Sequence, residues 1–303
     1  MRSRERRSPS RESTAVRTLV LGATGLLGNA VFRVFAEERR FSVHGTARSE
    51  AARRFFSPEL GARLISVDDL ERWDELVRLF DIAEPELIVN CVAAGKPAPP
   101  DPLKSIAVLS VLPHRLALLC RLRNARLVQI GSDGVFSGSR GAYTEDDPPD
   151  ATDIYGTAKL LGEVEGAHAI TIRTSMIGPE LERKNGLLEW FLSQRERCKC
   201  YRRAIFSGLP TVVLAQVIRD VIAPRPALFG VYHVAAKPIS KLELLTLVAE
   251  RYGKKIEIVP DDAVVIDRSL VADRFNMATG YAPPDWPELV DRMRNYSFGL
   301  ARV

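Results

Sequence analysis

The feature that most constrains this chain is a short apolar run ending in spaced glycines, VRTLVLGATGLLG at residues 16–28. A buried strand that turns through glycine into a helix returns most readily by a right-handed crossover to a parallel neighbour. The sequence repeats that step. Apolar helical spacing at Ala30, Val31, Val34 and Phe35 leads to a strand in FSVHGTA, and ARLISV precedes a helix around Leu76–Phe80. LIVNCVA precedes a helix through Ala107–Leu119, while ARLVQIGS and AITIRTS flank the helix that carries Lys159. Strands alternating with helices in this way predict βαβ units and an α/β fold with a doubly wound parallel sheet.

After about residue 178 the alternation weakens, and prolines and basic residues become frequent. LLEWFLSQ reads as a helix with Trp190 and Phe191 as core residues, GVYHVAA as a late strand, and KLELLTLVAERYG as a helix ending at Gly253. Three segments follow. Residues 1–16 form a disordered basic tail, 17–178 a nucleotide-binding domain, and 179–303 a smaller C-terminal substrate-binding lobe interleaved with the last strand and helix of the sheet.

Charge and composition exclude several classes. The formal net charge is +5, but residues 1–16 carry five arginines against Glu5 and Glu12, leaving about +2 for the rest. That is no nucleic-acid footprint. The tail lacks an apolar h-region and reads as a disordered extension, not a secretory signal. No apolar run approaches the roughly 20 residues of a membrane span. Cys91, Cys120, Cys198 and Cys200 have no zinc spacing, and His44, His114, His168 and His233 are scattered, so no metal site is expected. Reduced thiols point to a cytoplasmic compartment.

The glycine turn selects a ligand. In Gly22-Ala23-Thr24-Gly25-Leu26-Leu27-Gly28, the first glycine permits the turn, the second lets backbone approach a diphosphate, and the third allows close helix–sheet packing. This is a Rossmann-type arrangement, in which the helix N-terminus offers unpaired N–H groups to the anion. An NAD site would place an acid after the second strand, but this chain has Thr46-Ala47-Arg48. A guanidinium there suits a 2′-phosphate, so NADP(H) is preferred over NAD(H). Asp68 and Asp69 are placed either to accept from the adenine amino group or to cap the next helix. Cys91, Val92, Ala93 and Ala94 end the fourth strand with small side chains against which a cofactor can lie.

Ser132 ends a strand, and Tyr155 and Lys159 begin a helix at i, i+4, on one face. Tyrosine with its usual pKa of about 10 exchanges protons poorly at neutral pH, and a neighbouring ammonium favours its phenolate. Ser132 is placed to hydrogen-bond a substrate carbonyl, with Tyr155 as the proton donor.

With these residues the chain resembles the extended short-chain dehydrogenase/reductases, and within them the dTDP-4-dehydrorhamnose reductase group. The segments that carry the resemblance are LVLGATGLLG, LIVNCVAA, LVQIGSDGVFSG, AYTEDDPPDATDIYGTAKLLGE and AITIRTSMIGP. The resemblance implies NADPH-dependent reduction of the 4-keto group of a nucleotide-linked 6-deoxy sugar, in cell-surface polysaccharide precursor synthesis. It also implies that Ser132, Tyr155 and Lys159 are catalytic, and that Tyr155 and Lys159 also contact the cofactor. Homodimers built through helices are common in such folds.

This chain departs from the family pattern at four places. Gly134 stands where members usually have tyrosine, Ser110 where an asparagine often kinks a helix, and Met176 where rhamnose-forming members often have tryptophan. Ala30 replaces a glutamate associated with magnesium in some members. Two other readings are carried. One is an epimerase or dehydratase, although dehydratases commonly have an acid pair where this chain has Asp133-Gly134. The other is a non-catalytic NADP-binding subunit, as in the regulatory beta subunit of methionine adenosyltransferase, which shares the resemblance.

Overall fold

The computed structural model describes residues 15–93, 101–182 and 185–296. Ala94 and nearly all of the basic tail, residues 1–14, lie outside them. The nucleotide-binding half runs β1 (Val16–Leu21), α1 (Leu26–Ala36), β2 (Phe41–Ala47), β3 (Leu64–Ser66), α2 (Trp73–Ala83), β4 (Leu87–Asn90). It continues with α3 (Pro102–Leu122), β5 (Arg126–Ile130), α4 (Ile154–Leu161) and β6 (Ala169–Arg173). A late strand, β7 (Gly230–His233), completes a seven-stranded sheet in the order β7-β6-β5-β4-β1-β2-β3. Every pairing in it is parallel. The strand order reverses between β1 and β4, and the crevice beyond their carboxyl ends is where such sheets bind ligands.

Both faces of the sheet are covered, so its strands read as nearly unbroken apolar runs. Leu19, Val20, Leu21, Ile88 and Val89 are all fully buried. On one face α1 inserts Leu27, Ala30, Val31, Val34 and Phe35, an i, i+3, i+4 stripe. On the other, Leu76, Leu79 and Phe80 of α2 meet Leu112, Leu116 and Leu119 of α3.

Helix α3 is longer than its apolar spacing predicts, and it contains a π turn over Ala107–Val111. Ser110 sits in that turn and donates its hydroxyl to the Ala158 carbonyl of α4 at 2.8 Å. The distortion expected at this position is therefore present with serine, tied to the helix that carries Tyr155. By length and composition α3 is apolar enough to cross a bilayer, but half of its apolar window is buried, packed as a core helix.

The later chain is woven into the same core. Helix α5 (Leu187–Ser193) and α6 (Thr211–Gln216, continued by a π segment to Ile222) precede β7, and α7 (Lys241–Tyr252) follows it. A Ser240/Glu243 capping box starts α7, and Gly253 ends it at φ 66°. One apolar cluster joins Val31 and Phe35 of α1, Ile172 of β6, Ile218 of α6 and Leu244 of α7. Short ladders pair Arg197–Tyr201 with Glu257–Asp261, and Ala204–Phe206 with both Ile239–Ser240 and Ile266–Asp267. Cys198 and Cys200 point to one side of their strand, with free thiols 3.8 Å apart.

Candidate active site

At the crevice, Gly22 takes φ 76°, a left-handed conformation that favours glycine, and its N–H donates to Thr46 Oγ1 at 3.0 Å. The turn packs against the end of β4, where a Cβ on Gly22 would lie 3.4 Å from Cys91 backbone. A Cβ on Gly28 would lie 2.0 Å from the Gly22 carbonyl oxygen, so only glycine lets α1 approach the turn. Gly25 differs. Its φ is −75°, and a Cβ there would meet only the Gly22 oxygen at 3.3 Å. Gly25 N-caps α1 with no side-chain hydrogen bond, and the first turn carries no acid. Thr24 and Leu26 are half-buried, Leu27 is buried, and the opening N–H groups remain available to an anion.

The other residues expected to hold a cofactor follow the ends of β2, β3 and β4. Arg48 is exposed just past β2. Asp68 is exposed just past β3, whereas Asp69 Oδ1 accepts from Glu71 N–H at 2.7 Å and so closes a local turn. Of the two acids, only Asp68 has no such local hydrogen bond. Cys91, Val92 and Ala93 continue β4 beside the glycines. Asn90, buried before them, donates Nδ2 to Gln129 Oε1 at 2.7 Å and accepts from Val92 N–H at 3.2 Å.

Ser132, Tyr155 and Lys159 converge at the adjoining edge. Ser132 follows β5, is buried, and its Oγ accepts from Gly134 N–H at 2.9 Å. It also shares a hydrogen bond with the Tyr155 hydroxyl. Burial pushes the Tyr155 hydroxyl above its usual range; the Ser132 hydrogen bond opposes this, Asp133 and Asp153 reinforce it, and Arg268 opposes it. A Cβ at Gly134 would lie 3.0 Å from Ser132 Oγ and 3.2 Å from Tyr155 Cε1. Glycine at this position therefore presses backbone against the pair. Lys159 is buried and donates Nζ to the Ile130 carbonyl at 2.9 Å. Burial pulls its ammonium down to about 8, with Cys91 and Glu163 acting in the opposite sense. The Cys91 thiol, buried in turn, rises to about 12.

A second polar layer was not legible in the sequence. Arg173 ends β6 and forms a bidentate pair with Glu163 at 2.7 and 2.8 Å. Its guanidinium also lies 3.4 Å from His233 Nε2 and 5.3 Å from the Phe136 ring. Glu163 lies four residues after Lys159, and that helical spacing was its only local signal. His233, fully buried, sits 3.2 Å from the Tyr143 carbonyl through Nδ1. Ala30, at the magnesium-associated position, is buried in the core, and the described residues contain no cluster of three metal-ligating side chains.

A parallel sheet with a glycine turn at its switch point and a Ser–Tyr–Lys edge defines a nucleotide-binding protein of the short-chain reductase type. The chain belongs to the family described as the RmlD substrate binding domain, which matches residues 16–289. Methionine adenosyltransferase 2 subunit beta from Bos taurus is 30% identical, over 91% of this chain and 89% of its own length. A dTDP-4-dehydrorhamnose reductase from Streptomyces griseus is 33% identical over 48% of this chain and 43% of its own. Among solved structures, dTDP-4-dehydrorhamnose reductase from Bacillus anthracis in complex with NADP superposes with TM-score 0.77. That match is 19% identical and covers 94% of this chain and all of the other. The Bordetella bronchiseptica enzyme WbmG in complex with NAD and UDP gives 0.73 at 18% identity, covering 93% and 94%.

Proposed function

We propose that this protein is an NADP(H)-dependent reductase acting on the 4-keto group of a nucleotide-linked 6-deoxy sugar. The observation that carries this reading is the joined Ser132–Tyr155 pair with Lys159 one helical turn away, beside an uncapped helix N-terminus. The cofactor set fits a dinucleotide. Gly25 leaves backbone accessible, the N–H groups of Leu26 and Leu27 start an uncapped helix, and Arg48 offers two donors to a 2′-phosphate. NAD(H) suits the same turn without using Arg48. Relatives of the fold solved with NADP and with NAD support both cofactors.

When bound, the nicotinamide supplies hydride. The chain's own residues do the rest. Ser132 Oγ, oriented by Gly134 N–H, hydrogen-bonds the substrate carbonyl oxygen and holds it by the Tyr155 hydroxyl. Tyr155 gives its proton to the oxygen as negative charge develops there. The Lys159 ammonium, anchored at Ile130, stabilises the resulting phenolate.

The test is a panel of nucleotide-linked 4-keto sugars with NADPH, followed at the nicotinamide absorbance. Stoichiometric NADPH oxidation on one of them is expected. Turnover of a nucleotide sugar without net oxidation would identify an epimerase or dehydratase. A second reading, a non-catalytic NADP-binding subunit, is favoured by the extended similarity to methionine adenosyltransferase 2 subunit beta. NADPH binding with no turnover on any sugar would select it.

A further inference from the structure

Beyond Lys159 the chain buries an ion pair that the chemistry above does not use. The side chains of Arg173 and Glu163 are only 6% and 9% exposed. Both carboxylate oxygens are taken, Oε1 by Arg173 Nε at 2.7 Å and Oε2 by a terminal nitrogen at 2.8 Å. Stability alone is a poor reason for such a pair, because desolvating two charges offsets most of their attraction. Three separate devices nevertheless fix its position. Gly162 lets the end of α4 meet α3, where a Cβ would lie 1.8 Å from the Leu109 carbonyl oxygen in the π turn. Val164 is pinned to β6, its N–H donating to Thr171 Oγ1 at 3.0 Å and its carbonyl accepting from that hydroxyl at 2.8 Å. The strand that carries Arg173 also fastens the Ser132 loop. Gly131 N–H donates to the Ile172 carbonyl at 2.8 Å, and Asp133 N–H to the Thr174 carbonyl at 3.2 Å.

The charged and titratable groups around Lys159 give the pair a role. Tyr155 precedes it by one turn of α4. Cys91, at the end of β4, is a neutral thiol, pushed up to about 12 by burial. Next to Glu163 stands Arg173 and, 3.4 Å from that guanidinium, His233, which burial pulls down to about 4 and so keeps neutral at pH 7. His114 of α3 meets α4 at the Leu161 carbonyl, 2.7 Å away. Among the described residues Glu163 is thus the carboxylate that acts on Lys159, opposing the burial that would strip its proton. A free carboxylate here would draw the ammonium into a direct pair and off the Ile130 carbonyl. With both oxygens on Arg173, Glu163 supplies its field while Lys159 Nζ stays 2.9 Å from Ile130 O, beside Tyr155.

We propose that Glu163, clamped by Arg173, is a positioning residue for the reduction that acts through Lys159, keeping that side chain in its ammonium form beside Tyr155 at neutral pH. Its part in turnover rests on the reductase reading above, whereas the charge of the lysine is open to measurement without a substrate.

The experiment follows the Lys159 ε-carbon by NMR in the full chain from pH 6 to 10, with its signal identified by its loss in Lys159→Met. In the wild type it should titrate near 8. Glu163→Gln keeps an acceptor for Arg173 and should move the midpoint about one pH unit lower. The double variant Glu163→Met/Arg173→Met removes the pair without leaving a buried charge unpaired, and should lower the midpoint by less. On a nucleotide sugar that turns over, the alkaline fall of kcat should shift with the lysine in both. An unmoved midpoint in both variants would show a merely structural pair and overturn the inference, while leaving the reductase reading intact. A moved midpoint with an unmoved pH profile would overturn it as well, since the charge would then not matter to turnover. A wild type that turns over no sugar in the panel would overturn the reductase reading, and with it any part for Glu163 in reduction.

Discussion

The two walls of this cleft are built in different ways. On the cofactor wall, the contacts join the glycine turn to itself and to the ends of the two strands that flank β1 in the sheet: Gly28 to Gly22, Gly22 to Thr46, and Cys91 to the Gly22 turn. On the opposite wall, Tyr143 pairs with Leu270, His233 N–H donates to Glu145 at 2.8 Å, and Ser207 accepts from Leu270. Local close approach fixes the first wall, whereas a net of polar contacts between distant segments fixes the second. Point changes on the first wall should therefore act through backbone sterics, and on the second through charge and burial.

The largest effect is expected where the walls meet. Tyr155→Phe keeps the ring against Gly134 and removes the proton donor, so kcat should fall by a factor on the order of 10²–10⁴. NADPH affinity and melting temperature should stay near wild type. Reduction that survives within a few fold would show that the proton comes from elsewhere, and would break the assignment of chemistry to this seam.

The glycine turn should separate structure from binding within five residues. Gly28→Ala drives a methyl into the Gly22 carbonyl, backbone against backbone, and should cost about 3 kcal/mol of stability. Gly25→Ala, at φ −75° with a single 3.3 Å neighbour, should leave the melting temperature nearly unchanged and weaken NADPH roughly tenfold. Equal destabilisation by both would mean that the turn is held as a unit and not at Gly28.

The distal wall should respond to pH. Burial, and then Arg173, pulls His233 down to about 4 from its ordinary 6.5, while its backbone contacts act in the opposite sense. Between those values the unfolded chain binds a proton that the folded one rejects. Stability from the neutral imidazole is therefore complete above about 6.5 and is lost as pH falls towards 4, by about 3 kcal/mol in all. Denaturant titrations from pH 7 to 5 should show that decline in the wild type and a flatter one in His233→Gln. Parallel curves would mean that His233 does not titrate alone.

This contrast also explains what the sequence disclosed. The glycine turn, the strand ends and the i, i+4 pair of Tyr155 and Lys159 are local patterns, so each was visible in a few consecutive letters. The seventh strand appeared only as a late apolar run, because its place beside β6 depends on a pairing some sixty residues away. Arg173, His233 and Arg268 carried no local signal at all. Their environments are assembled by segments such as 137–143 and 266–270, which come together only in three dimensions. Asp69 shows the reverse: a residue with two local readings, adenine contact or helix cap, whose carboxylate closes a turn on Glu71 N–H while Arg72 stands at the N-cap of α2.

An effect confined to one of two cofactors tests how the cofactor wall chooses its ligand. Arg48 stands exposed at the end of β2, where the family of folds grips the adenine ribose, and no acid occupies that position. Arg48→Ala removes a charge-assisted contact to a 2′-phosphate and should weaken NADPH by roughly ten- to a hundredfold, about 1.5–3 kcal/mol. NADH, which has a hydroxyl in place of that phosphate, should change by less than about threefold. Parallel fluorescence titrations of both cofactors give the comparison directly, with no substrate required. Equal losses would show that Arg48 supports the loop instead of reading the phosphate, and the preference for NADP(H) would then need another residue on this wall.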